Sequence, residues 1–63
     1  PVADHVEGRW VGLATAYLQG TPLPPIELLR VGDDYFVRDG HHRVSVFRAY
    51  NQATVEAIVT AIG

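Results

Sequence analysis

The segment GTPLPP, residues 20–25, sets the strongest limit on how this chain folds. Three prolines in six positions fix φ and remove backbone donors, so neither a helix interior nor a central strand runs through it. The residues on its two sides must therefore form separate elements. Upstream, in HVEGRWVGLATAYLQ at residues 5–19, Val6, Trp10, Leu13, Ala14, Tyr17 and Leu18 recur at steps of three and four, the spacing of an amphipathic helix. Asp4 is the expected N-cap and Gly20 the expected terminator, with Pro22 just beyond. Gly8 and Gly12 each weaken such a helix by about 1 kcal/mol relative to alanine, so it is expected to depend on packing.

Downstream, IELLRV at 26–31 reads as a strand, GDD as a tight turn and YFVRD at 35–39 as a second strand, which together make a β-hairpin. After Gly40, residues Val44, Phe47 and Ala49 or Tyr50 give a short helical face that ends at Asn51. TVEAIVT at 54–60 is rich in β-branched residues and reads as a third strand. The predicted order is α-β-β-α-β, an α+β fold with a mixed sheet packed with two helices. The last strand is expected beside one of the hairpin strands, across the second helix.

Sixty-three residues make a single domain, 1–63, near the lower limit for a core without staples. With no cysteine there is no disulfide, zinc-thiolate site or thiol nucleophile. A hydrophobic content of 48% is enough for a compact core, and 19% charged residues argue against disorder. The chain begins at Pro1 and contains no Met, so it is read as a fragment or trimmed core of a longer protein. No apolar run approaches the roughly 18 to 20 residues of a membrane span, so a soluble, cytoplasmic domain with no membrane partner is expected. The formal charge of -2 gives no overall attraction to nucleic acid, and any anion binding has to be local.

The local charge lies in RDGHHRVSVFRAY, residues 38–50. All five basic residues are arginines, and Arg38, Arg43 and Arg48 fall within this stretch. Inside it, DGHHR at 39–43 occupies the expected strand-to-helix turn. Gly40 permits a sharp turn, and the residues after it open a helix whose first amide N–H groups lack helical partners. Such an end attracts anions, and an arginine adds a bidentate charge-assisted bond. Gly40, His41, His42 and Arg43 are therefore the candidate phosphate-binding residues, with Asp39 capping or orienting them. His41 and His42 are the candidate catalytic residues, as acid or base near neutral pH.

A purely structural reading stands beside this one. Asp39 caps the helix, Arg43 pairs with Asp39 or another acid, and one histidine bonds into the core. No metal site is expected, because adjacent helical residues point about 100° apart and Asp39, His5 and Glu7 would have to converge through the tertiary fold. Ser45 is the lone serine and lies inside the helix, a poor place for a catalytic triad. Arg9 and Trp10 read as a solvated face and a core anchor.

Residues 24–60, PPIELLRVGDDYFVRDGHHRVSVFRAYNQATVEAIVT, resemble the ParB/sulfiredoxin superfamily, which includes the ParB N-terminal domain and the ParB-like nuclease domains. The shared pattern is a hairpin with an aromatic or apolar second strand, Asp-Gly, two variable positions, the arginine at Arg43, a short helix and a VEAIV-type strand. The resemblance implies phosphate binding at the turn, of CTP or ATP in the family, and a nucleoside triphosphate with magnesium as the ligand to test. His41 stands where sulfiredoxin has its catalytic cysteine, so sulfinic acid reduction is not implied. The glutamate that ParB has at that place is also absent. The family's opening strand and any helix-turn-helix DNA reader are not evident.

Three functions follow as expectations. The first is a ParB-like module that binds nucleotide or nucleic acid through the DGHHR turn. The second is a nuclease-like or nucleotide-hydrolysing enzyme using His41 or His42. The third is a structural or oligomerisation domain carrying a relic of the site. A small core and uncovered strand edges favour homo-oligomers.

Overall fold

The computed structural model describes the backbone of residues 2–62 and the side chains of residues 8–62. The chain is a small α+β domain in the order α1 (Val2–Leu18), β1 (Ile26–Val31), β2 (Asp34–Asp39), α2 (His41–Ala49) and β3 (Ala57–Ile62). The sheet order is β2-β1-β3. β1 pairs antiparallel with β2 and parallel with β3, so the sheet is mixed, as expected. The crossover from β1 to β3 contains the whole of β2 and α2.

α1 starts upstream of the predicted boundary, at Val2, which places Asp4 inside the helix instead of at its cap. The side chains of Asp4, His5, Val6 and Glu7 lie outside the described residues. The predicted terminator Gly20 ends the helix at φ 76°, with its N–H donating to the Tyr17 carbonyl and that of Thr21 to the Ala16 carbonyl. These two bonds form a Schellman motif, which satisfies the last carbonyls. α2 ends the same way, with Asn51 at φ 55°: its N–H donates to Arg48, and the Gln52 N–H donates to Phe47.

The hairpin turn is tighter than GDD. Val31 pairs with Asp34, which leaves Gly32 and Asp33 as the two-residue loop. Gly32 alone of the two has positive φ, 61°, the pattern of a type II′ turn. Between Glu27 and Leu28 the register slips, and Arg38 is the extra residue of a β-bulge. β3 begins three residues after the predicted start, because its pairing with β1 opens at Ile26 and Ala57. The residue before it, Glu56, still accepts the Ile26 N–H at 3.1 Å.

The helices run in the same direction and are clamped at both ends. The Trp10 indole N–H donates to the Ser45 hydroxyl at 3.0 Å, and the Tyr17 hydroxyl donates to Gln52 Oε1 at 2.6 Å. Tyr17 also stacks on Tyr50 and meets Phe47 edge-on, with centroids 5.3 and 5.7 Å apart. α2 lies between α1 and β1, and this corrects the predicted helical face. The fully buried residue of α2 is Val46, whereas Val44 and Phe47 are half-buried and Ala49 and Tyr50 are exposed. A helix covered on two sides has no single apolar stripe to read. Leu18, predicted to face the core, is 64% exposed at the end of α1. Among the described residues, Ala14, Ile26 and Val46 are the buried hydrophobic core, and no helix is long and apolar enough to cross a membrane.

Candidate functional site

The β2–α2 turn is built around Gly40. It is the N-cap of α2 at φ 104° and ψ 25°, in the left-handed region that disfavours any side chain. A Cβ at this position would stand 2.7 Å from Ile26 Cγ2 and 3.2 Å from Arg43 Nε. Sterics and backbone thus demand glycine together. The Gly40 carbonyl accepts the Val44 N–H at 2.9 Å, the first bond of the helix.

Among the described residues no side chain caps α2. The expectation that Asp39 caps the helix is therefore corrected: its carboxylate receives Arg43 Nη2 at 2.8 Å and orients that residue instead. Arg43 Nη1 donates to the carbonyls of Pro24 and Pro25, both at 3.0 Å. The guanidinium thus fastens the linker before β1 to the turn before α2, and the side chain is 14% exposed. Planar, forked donors suit such a three-way clamp, whereas a lysine ammonium does not. The remaining donors, Nε and one Nη2 hydrogen, stay beside the turn.

All five residues singled out in DGHHR border one cleft. It holds about 340 Å³ and is lined by Asp39, Gly40, His41, His42 and Arg43 on one wall and by Arg9 and Leu13 of α1 on the other. His41 is exposed and His42 half-buried. Arg9 was missed by sequence reasoning, which assigned it to the solvated face. It is exposed, and no hydrogen bond or ion pair joins it to another of the described residues. The signal that could have found it is positional: parallel helices joined at Trp10 and Ser45 bring the residue before Trp10 toward the start of α2.

Two other clefts frame this one. A cleft of about 320 Å³ holds Val37, Val44, Ser45 and Arg48 and shares His41. At the far end, one of about 360 Å³ includes Tyr17, Pro22, Leu23 and Phe47, with Glu56 as its charged residue and no cation. The arginines of residues 38–50 therefore divide: Arg43 lies in the turn cleft, Arg48 in its neighbour, and Arg38 at the bulge of β2. Among the described residues no three of His, Cys, Asp and Glu gather as a metal group. His5 and Glu7, which the sequence reading weighed for such a site, have side chains outside the described residues.

Comparison of the chain with protein-family models, curated proteins and solved structures returns no match.

Proposed function

We propose that the chain binds a phosphate-bearing ligand, a nucleotide or a nucleic acid, in the cleft between α1 and the β2–α2 turn, as a ParB/sulfiredoxin-like module. The observation that carries this reading is the placement of an exposed cation, Arg9, across one cleft from the start of α2, neither of them joined to a side chain among the described residues. The amide N–H groups of His41, His42 and Arg43 precede the first helical bond and have no partner within the helix, the arrangement that favours an anion. A helix start carries roughly half a positive charge, and Arg9 adds a full one. His41 and His42 supply further donors at the rim. Arg43 contributes chiefly by holding the turn in shape, with Asp39 as its orienting partner.

The order of hairpin, glycine turn, short helix and parallel strand supports the family reading, and so does the place of Arg43 after the turn. Binding is favoured over phosphodiester hydrolysis. Among the described residues Asp39 is the one acid bordering the cleft, and its carboxylate is held by Arg43 instead of standing free to activate water.

The test is calorimetric titration of the wild-type chain and of Arg9→Ala with inorganic phosphate, CTP, ATP and a short DNA duplex. Loss of one charge-assisted contact should weaken phosphate-bearing ligands about tenfold while the fold is unchanged. Equal affinities for the two proteins would overturn the reading.

A further inference from the structure

One whole face of the sheet is uncovered. Cross-strand partners lie on the same side of a sheet, so the register places Leu29, Val31, Phe36, Ile58 and Ile62 together, opposite the face on which Ile26 meets Gly40. Both helices stack on the Ile26 side. Phe36 and Ile58 are 56% and 58% exposed, and Val31 and Ile62 are nearly half exposed. The polar residues at the paired positions of this face are Glu27 with its partner Asp39, Asp34 and Thr60, and the bulge residue Arg38 lies unpaired between Val37 and Asp39.

The exposed area has a scale. The chain exposes 4783 Å² for a mass of 6.9 kDa, whereas a folded monomer of that mass exposes about 4,000 Å². The excess of about 800 Å², shared by the sheet face and the rest of the chain, equals in size what one partner contributes to a standard stable interface.

We infer that this face is a homodimer interface, in which two copies pack sheet against sheet about a two-fold axis. The pattern selects the direction of that axis. An axis along the strands would lay Glu27 over its own copy, two like charges in an apolar seam. An axis across the strands at the level of Leu29 separates the two Glu27 side chains and sets Asp34 of each copy over the β2 bulge of the other, where Arg38 is the cation. It sets Leu29 over Leu29, Phe36 over Phe36 and Ile58 over Ile62, and brings Glu27 over Val31. The two β1 strands then run close to antiparallel, with the aligned packing usual for two sheets. Arg9, on the opposite wall of the cleft, takes no part.

Sedimentation equilibrium of the 63-residue chain from about 5 to about 500 µM tests the inference, with the substitutions Ile58→Glu and Val59→Glu compared. These neighbours are similarly exposed on opposite faces of β3. The expected result is a wild-type dimer that Ile58→Glu weakens roughly a hundredfold, while Val59→Glu still dimerises and both variants keep the wild-type circular dichroism. Phe36→Glu should repeat the effect from β2. A wild-type monomer throughout the range would overturn the inference and leave the face to another partner. A dimer indifferent to both Ile58→Glu and Phe36→Glu would also overturn it, as would one disrupted equally by Val59→Glu.

Discussion

Arg43 donates to Asp39 at 2.8 Å while its other terminal nitrogen holds the carbonyls of Pro24 and Pro25. The residue that the sequence marks as a phosphate ligand is thus the fastening between the proline linker and the helix start. Its energetic weight lies in the two carbonyl bonds, because Asp39 is 63% exposed and an exposed ion pair contributes at most about 1 kcal/mol. Arg43→Ala is expected to destabilise the fold by about 2–3 kcal/mol in urea denaturation. Arg43→Lys should recover less than half of that. An Arg43→Ala protein as stable as wild type would contradict the clamp.

The same substitution at two glycines should have opposite signs. Gly12→Ala meets nothing within 4 Å and should stabilise α1 by about 1 kcal/mol. Gly40→Ala forces a side chain into left-handed backbone and against Ile26, and should destabilise by about 2–4 kcal/mol. Thermal unfolding of both variants checks the pair; equal effects would remove the steric argument for the turn.

The hydroxyl of Tyr17 ties α1 to the segment after α2 through Gln52, which in turn donates to the Thr54 carbonyl at 2.9 Å. Tyr17→Phe keeps the stacking on Tyr50 and loses the hydrogen bond, so a loss of about 1 kcal/mol is expected. In a double-mutant cycle with Gln52→Ala, the second substitution should cost about 1 kcal/mol less once the first is present, the remainder being the Gln52 bond to the Thr54 carbonyl. Fully additive losses would mean that the two side chains do not act together.

Local signals made much of this fold legible. The linker prolines divided helix from sheet, the β1 boundaries and the Gly20 terminator follow from sequence alone, and the α-β-β-α-β order is the observed one. The misread parts depended on what packs against what. Val46 was hidden because α2 is covered on two sides, and β3 starts where β1 offers a partner, not where β-branched residues begin. For the site, Gly40 was readable from its step into a helix. The contribution of Arg9 was not, since it depends on two helices lying parallel across 35 residues of sequence. A structural role for Arg43 could be posed from the sequence, but its partners could not be named without seeing the Pro24 and Pro25 carbonyls turned toward it.

The most direct test of the anion-binding account is an amide-resolved NMR titration of the ¹⁵N-labelled chain with inorganic phosphate and with nucleoside triphosphates, up to about 10 mM. The account predicts saturable shifts concentrated at the amides of Gly40 to Arg43 and at Arg9, with the far cleft around Tyr17 and Glu56 unmoved. Absence of any shift at the turn, or shifts centred on the far cleft, would contradict it.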